Sequence, residues 1–158
     1  MDYIGKYGEY RVLAKLFELK IEAYLAIKSN QDDFDITVVT RDMKVFRVQV
    51  KTTTLWNEST NNAIAGLEKR YDFVAIVILD RKEIIEVAAN SEETDDLKPE
   101  HEYIPHFYIM TKEEAMTEKG SSKQLGVSRK VNKDSVIKES LLPYLNAWEK
   151  IIHATHLS

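Results

Sequence analysis

Hydrophobic and polar positions alternate most regularly near the middle of the chain. Two runs rich in β-branched residues, 36–39 and 45–50, flank the polar sequence 41–44. This pattern predicts two strands joined by a turn, and therefore an antiparallel hairpin. Because side chains alternate between the two faces of a strand, Gln49 and Lys51 are expected on one face and the neighbouring valines on the other.

A helix is predicted at the start of the chain, over residues 5–19. Its apolar residues recur on one side at helical spacing, namely Val12, Leu13, Leu16 and Phe17. Glu9 lies at the edge of that side, where it is either a solvated first-turn acid favoured by the helix dipole or part of a site. Gly5 and Gly8 disfavour a helix interior, and they fit a first turn whose backbone approaches something closely.

Three consecutive strands are expected after this helix. Apolar and polar residues alternate over 20–28, which predicts a strand, and the turn cluster 29–33 leads into the central hairpin. Residues 63–70 predict a short helix, with Ile64 and Leu67 directed inward. This helix would be the crossover that brings the chain back to the sheet.

The second half of the chain predicts further strands and two helices. Residues 71–79 are almost entirely apolar, as in a strand covered on both faces, and 84–88 predicts another strand. A strongly acidic segment, 91–102, is expected to be a solvated loop. Phe107–Met110 predicts a short strand, and Thr111 then supplies a helix N-cap.

A final helix is expected from about Leu141, with Pro143 tolerated in its first turn. The apolar residues at helical spacing that should dock it on the domain are Leu142, Leu145, Trp148 and Ile152. The expected fold class is therefore α+β: a helix, an antiparallel β-meander, a crossover helix, an additional strand and a C-terminal helix. No repeat or linker divides residues 1–158, so a single domain is expected.

Composition narrows the class of protein. The chain has 158 residues, of which 44% are hydrophobic and 30% charged, as in a soluble globular domain large enough to bury a core. It has no cysteine, which excludes disulfides and thiolate metal sites and fits a cytoplasmic protein. No apolar run is long enough to span a membrane, and the first twenty residues lack the pattern of a signal peptide. The net charge of -4 argues against a general polyanion binder, although a protein that acts specifically on a polyanion needs a positive contact face only.

The central hairpin brings candidate chemistry to one edge. Asp35 begins the first strand, and Gln49 and Lys51 lie near the end of the second. A carboxylate, an amide oxygen and a lysine are the parts of a metal-assisted phosphodiester hydrolase, and an oxygen-only ligand set indicates Mg²⁺ or Mn²⁺. The alternatives are that Asp35 is a strand-initiating turn residue and that Lys51 is a snorkelling edge-strand lysine.

At these residues the chain resembles the PD-(D/E)XK nuclease superfamily, in the branch that has Gln-X-Lys in the second half of its motif. The resemblance covers residues 5–79, with Asp35 followed by Gln49-Val50-Lys51, and Glu9 at the position of the family's helical glutamate. It implies a restriction-endonuclease-like core. It also implies that Asp35, Gln49, the Val50 carbonyl and Glu9 bind the metal, and that Lys51 acts in catalysis.

The function implied is a Mg²⁺-dependent endonuclease that hydrolyses DNA, of the restriction-like or homing-endonuclease-like kind. Such enzymes usually act as homodimers or higher oligomers, since two strands need two sites. Gln49 departs from the carboxylate of the Glu-X-Lys pattern, so Glu9 or Asp33 would have to restore negative charge. The alternative function is a catalytically inactive nuclease fold that binds nucleic acid or a protein partner.

A basic segment, 119–133, adds candidate DNA contacts. Its members assigned to phosphates are Lys123, Arg129, Lys130 and Lys133, although a charged run is more often simply solvated. The hydroxyls of Thr52 and Thr53, which continue the strand after Lys51, are also expected to touch a phosphate. No HExxH, Walker A, GxSxG or dinucleotide glycine motif occurs, which removes several other enzyme classes.

Overall fold

The computed structural model describes residues 1–26, 33–83 and 101–156. Five of its strands form one sheet, and the remaining two form a separate hairpin. In chain order the elements are helix α1 (Tyr3–Glu18), strands β1 (Glu22–Leu25), β2 (Ile36–Val39), β3 (Val45–Thr54), β4 (Phe73–Glu83) and β5 (His101–Thr111), helix α2 (Lys112–Lys119), strands β6 (Ser128–Val131) and β7 (Asp134–Ile137), a 3-10 helix (Glu139–Tyr144) and helix α3 (Glu149–His156).

The five-stranded sheet confirms the predicted α+β class and the antiparallel meander. Its strand order is β1-β2-β3-β4-β5. The β2–β3 hairpin pairs Ile36 with Val48 and Val38 with Phe46 in antiparallel register. Strand β4 then returns parallel to β3, and β5 is antiparallel to β4. The parallel pair places the end of β3 in the interior of the sheet, beside the most apolar strand of the protein.

Strand β4 is buried on both faces, as the apolar run 71–79 predicted. Every residue from Phe73 to Leu79 is buried. Helices α1 and α3 cover one face, where Val12 and Ile151 are fully buried. The β3–β4 connection, α2 and the 3-10 helix cover the other face. Burial of a Val or Leu side chain contributes about 1.5–3 kcal/mol, so this buried strand contributes strongly to the stability of the sheet.

Helix α1 lies very close to the end of β3. The Asp2 side chain caps it by accepting a hydrogen bond from the Gly5 amide, at 2.9 Å. Gly8 is buried, and a Cβ added there would collide with the Thr52 hydroxyl, so only glycine permits this approach. Phe17 was expected in the core but is 53% exposed, because Leu16 takes the buried position and the next residue is rotated about 100° away.

The predicted crossover helix over 63–70 is wrong. The connection from β3 to β4 is irregular, with positive φ angles at Asn62 (48°) and Gly66 (76°). Ile64 pairs with Leu125 in an isolated β-bridge, which uses the backbone groups that a helix would need. Ile64 and Leu67 are buried as predicted, because their spacing fits this compact loop as well as a helix.

The predicted final helix is also wrong in its extent. The chain forms a 3-10 helix that contains Pro143, leaves helical geometry at Asn146 (φ 51°), and resumes as α3. Leu145 forms a bridge with Tyr108 in this gap, so a continuous helix cannot form. Leu142 is 67% exposed and does not dock, whereas Trp148 is 4% exposed and packs on the sheet.

Three other predictions are resolved by the described residues. Helix α2 has the expected N-cap, with a full capping box between Thr111 and Glu114. The strand predicted over 107–110 is the end of the longer β5. Part of the basic segment forms the β6–β7 hairpin. The predicted strand 84–88, most of the acidic segment 91–102 and most of the turn 29–33 lie outside the described residues. None of the described helices is long and apolar enough to cross a bilayer.

Candidate active site

Asp35 is held against the middle of β3. It directly precedes β2, and its own amide donates to the Val48 carbonyl at 2.9 Å. Its Oδ2 accepts hydrogen bonds from the Val50 amide at 2.7 Å and from Gln49 Nε2 at 2.9 Å. These contacts direct the carboxylate toward Gln49 and Val50.

Glu9 on α1 brings a second carboxylate to Asp35. Burial raises the pKa of Asp35 to about 6, although the Val50 amide opposes the rise. A hydrogen bond and the negative charge of Glu9 raise this pKa further. The Glu9 side chain is only 17% exposed, and it forms a salt bridge of 3.1 Å with Lys6. Two acids that face each other in a half-buried position favour a cation between them.

Gln49 presents a buried side-chain oxygen next to the Asp35 carboxylate. The residue is 5% exposed, and its Nε2 donates to Asp35 and, more weakly, to the Val50 carbonyl at 3.5 Å. Its Oε1 has no hydrogen-bond partner among the described residues. An unpaired buried acceptor costs about 1–3 kcal/mol, so a ligand that satisfies this oxygen would relieve a real penalty.

Lys51 lies two residues beyond Gln49 on β3 and is partly buried. Burial lowers the pKa of Lys51, and the positive charge of Lys69 lowers it further, against the influence of Asp35 and Glu68. In the part of the chain that the structure describes, no acid lies within salt-bridge distance of Lys51. The ammonium group is therefore available to a negatively charged ligand.

The oxygen set fits a hard divalent cation. Asp35 and Glu9 supply charge, and Gln49 Oε1 and the Val50 carbonyl supply neutral oxygens, which are the ligands that Mg²⁺ accepts. Asp33 does not join them, because it pairs with Arg70 at 3.4 Å. Across residues 1–26, 33–83 and 101–156, no three His, Cys, Asp or Glu side chains gather into a metal cluster. A site with two carboxylates predicts weak binding by an ion that keeps several waters.

The basic segment is attached to strand β3 through Asn62. Thr53 Oγ1 donates to Asn62 Oδ1 at 3.3 Å, and Asn62 Nδ2 donates to Ser128 Oγ at 2.8 Å. Asn62 and Ser128 are 3% and 1% exposed. Because Ser128 begins β6, this buried chain of hydrogen bonds sets the position of the β6–β7 hairpin relative to Lys51.

The assigned DNA-contact residues differ in their surroundings. Arg129 pairs with Glu139 at 2.6 Å, and Lys130 donates to Ser135 at 2.9 Å. Lys123 and Lys133 are exposed. The Thr53 hydroxyl is engaged by Asn62, and Thr52 Oγ1 is buried beside Gly8 without a hydrogen-bond partner among the described residues.

Three residues near the site were not identified from the sequence. Gly66 and Lys69 belong to the segment 63–70 that was predicted to form a helix, and Asn62 directly precedes it. Gly66 in the centre of an apparent helix was the available signal, because glycine disfavours helix interiors. Their spatial relation to Lys51 depends on a loop that folds back over β3, and no sequence spacing encodes that.

Comparisons with known proteins identify the fold. No protein-family model matches the chain, and no curated protein matches it. The solved structure of a bacterial homing endonuclease, I-Ssp6803I, superimposes with a TM-score of 0.58 at 12% sequence identity. The match covers 98% of this chain and 92% of that one. The chain therefore has a nuclease-like α+β fold, and the identity is too low to transfer residue roles.

Proposed function

We propose that the protein is a metal-dependent endonuclease of the PD-(D/E)XK kind, which hydrolyses phosphodiester bonds in DNA. The observation that carries this proposal is the unpaired, buried Gln49 Oε1 beside the Asp35–Glu9 carboxylate pair. The endonuclease-like fold supports the same class. An oxygen site of this kind, with an unpaired lysine two residues away, suits phosphoryl chemistry.

Mg²⁺ or Mn²⁺ would be held by Asp35, Glu9, Gln49 Oε1 and the Val50 carbonyl. When bound, the cation supplies Lewis acidity and neutralises phosphate charge during the attack of water on phosphorus. The Val50 amide and the Gln49 side chain orient Asp35 through its Oδ2. Gln49 Nε2 would keep this contact with Asp35 while Oε1 served as a ligand, so the amide would act as both donor and acceptor.

Lys51 is the proposed catalytic cation. Its partial burial strengthens its interaction with the negative charge that develops on the phosphate oxygens in the transition state. Its lowered pKa also makes the ammonium a better proton donor to the leaving oxygen, after which the lysine is neutral. The metal and this lysine would then stabilise one phosphate from two directions.

Lys123, Arg129, Lys130 and Lys133 are proposed to hold the phosphate backbone of DNA on the β6–β7 side. Thr53 is joined to that side through Asn62 and Ser128, whereas the Thr52 hydroxyl is buried beside Gly8 on α1. The described residues of one chain contain one such site. Cleavage of both strands would therefore require a second copy, so we propose a homodimer or a higher homo-oligomer. Sedimentation with and without duplex DNA tests this assembly.

A second candidate function is a nuclease fold that binds nucleic acid or a protein without cutting. Two observations favour it: Gln49 provides no charge where a carboxylate would strengthen metal binding, and the net charge is -4. Under this alternative the unpaired Gln49 oxygen would face no metal, and Lys51 would contact a phosphate only as an anchor.

A cleavage assay separates the two functions. Supercoiled plasmid and linear duplex DNA are incubated with the protein in Mg²⁺, in Mn²⁺ and in EDTA, together with Lys51→Ala. The control is Lys44→Ala, which removes an exposed lysine from the β2–β3 turn, at the opposite end of the hairpin from Asp35. Metal-dependent cutting that only Lys51→Ala abolishes supports the endonuclease. DNA binding without cutting in either metal supports the binding module.

A further inference from the structure

Two lysine side chains converge on one glycine beside the candidate site. A Cβ added at Gly66 would lie 3.1 Å from Lys51 Nζ and 3.4 Å from Lys69 Cε. Gly66 also has a φ of 76°, which side chains rarely adopt. The absence of a side chain at this position therefore leaves room for both lysines on the same side of the loop.

The loop that carries Lys69 is firmly anchored. Leu67 is fully buried, and its carbonyl accepts a hydrogen bond of 2.6 Å from the Tyr71 hydroxyl. Lys112 Nζ donates to the carbonyls of Glu68 and Lys69. These contacts fix the backbone on either side of Lys69, so its position near Lys51 is a property of the fold.

The charges at this place are not balanced by the surrounding protein. Within the described ranges, neither Lys51 nor Lys69 has an acid within salt-bridge distance, and Glu68, the neighbouring acid, pairs with Lys119 at 3.3 Å. Two like charges in a partly buried position repel each other more strongly than they would in water. An anion with several oxygens could accept hydrogen bonds from both ammonium groups. Its negative charge would replace the repulsion between the lysines with a net attraction.

We infer that Lys51, Lys69 and the open backbone at Gly66 form a phosphate subsite, which holds the phosphodiester beside the candidate site. The inference rests on the proposed function for its ligand, a phosphodiester of DNA. Lys69 is a binding residue in this subsite: it contacts a non-bridging oxygen, while Lys51 contacts the group whose charge changes during cleavage.

Binding of a minimal phosphodiester tests the subsite without any cleavage. The thymidine dinucleotide dTpdT is titrated in EDTA into ¹⁵N-labelled protein, and the Gly66 and Lys69 amide shifts are followed by NMR. Inorganic phosphate is titrated separately, as an anion without bases. The proteins compared are the wild type, Lys69→Gln, Lys69→Arg and the remote control Lys44→Gln.

We expect saturable shifts at Gly66 in the wild type and Lys44→Gln, a loss of affinity of about tenfold or more in Lys69→Gln, and recovery in Lys69→Arg. Unchanged spectra elsewhere in Lys69→Gln would show that the fold is intact. No response at Gly66 to either anion, or equal affinity in Lys69→Gln and the wild type, would overturn the inference.

Cleavage kinetics distinguish this inference from the proposed function. If the wild type cuts DNA, Lys69→Gln should raise KM or lower kcat/KM about tenfold, whereas Lys69→Arg stays near the wild type. A wild-type kcat/KM in Lys69→Gln would contradict the subsite proposal without affecting the endonuclease proposal. If the protein binds dTpdT at Gly66 but never cuts DNA, the subsite proposal is supported and the endonuclease proposal is contradicted.

Discussion

Gln49 Nε2 donates to Asp35 Oδ2 across 2.9 Å, and Gln49 Oε1 on the same amide remains buried and unpaired among the described residues. The amide is therefore oriented by one acid while its oxygen is left for another ligand. Under the proposed function, this division of roles would let a glutamine serve at a position where the Glu-X-Lys pattern has a carboxylate. It also makes Asp35 and Gln49 the most informative pair to vary.

Replacing Asp35 with Asn should stabilise the metal-free protein at neutral pH. The pKa of Asp35 is raised from 3.8 to about 6, so the folded state binds its proton more tightly than the unfolded state. The stability from this group is therefore fully present below pH 3.8 and is lost as the pH rises through about 6. Because Asp35 is partly exposed, the loss should be about 1 kcal/mol.

Urea denaturation in EDTA at several pH values between 4 and 7 measures this effect. In Asp35→Asn the free energy of unfolding should fall less with rising pH than in the wild type. The variant should also bind Mn²⁺ at least tenfold more weakly in calorimetric titrations. A variant that is less stable than the wild type at pH 7, with Mn²⁺ affinity unchanged, would show that Asp35 is a structural turn residue.

Gln49→Glu should bind Mn²⁺ more tightly, by roughly tenfold, because a third carboxylate adds charge to the weak ligand set. Without metal the same variant should be less stable than the wild type, since the new charge lies beside Asp35 and Glu9 in a buried position. Calorimetry and urea denaturation measure both effects. Asn57→Asp is the control, because it adds an acid at an exposed position of the β3–β4 connection. Equal gains in Mn²⁺ affinity in the two variants would show that the effect comes from net charge alone.

Lys51→Ala should abolish cleavage without destabilising the metal-free protein. The pKa of Lys51 is lowered, chiefly by burial, so its charge costs rather than contributes folding free energy. A loss of one transition-state cation typically lowers kcat about 100-fold or more. Single-turnover cleavage and thermal unfolding report the two properties separately. If the variant unfolds, or if it cuts at the wild-type rate, Lys51 is not the catalytic cation.

Neutralising Lys123, Lys130 and Lys133 together should weaken DNA binding and make it less sensitive to salt. Each phosphate contact that is lost should reduce the slope of log K against log salt by roughly 0.9. Fluorescence anisotropy at several salt concentrations measures the slope. A triple variant of Lys20, Lys44 and Lys82 carries the same change in charge elsewhere. Equal slopes in the two variants would place the DNA contacts away from the β6–β7 hairpin.

Asn62→Ala should detach the β6–β7 hairpin from strand β3. It removes the hydrogen bonds to Thr53 and Ser128, both of which are at least partly buried, at a cost of about 1–3 kcal/mol. Amide exchange should accelerate in β6 and β7 more than in β4. The matched control is Thr54→Ala. Thr54 follows Thr53 on β3, and this change removes only an exposed contact with Asn57. Uniform acceleration across the sheet would indicate a general loss of stability.

Local patterns in the sequence determined much of this fold. The β2–β3 hairpin, the buried β4 and the N-cap of α2 were all predictable, because alternation, apolar runs and capping residues act over a few positions. The order Glu9, Asp35, Gln49, Lys51 also indicated an oxygen site, since two of these residues lie on one strand whose alternation fixes their common face.

Only the tertiary structure decided what surrounds that site. The loop 63–70 is not a helix because Ile64 pairs with Leu125, a contact about sixty positions away that no local propensity contains. The same loop places Lys69 beside Lys51, and Gly8 lets α1 bring Glu9 to Asp35. Burial and charge depend on which distant segments meet, so the raised pKa of Asp35 and the unpaired oxygen of Gln49 appear only when the chain is folded.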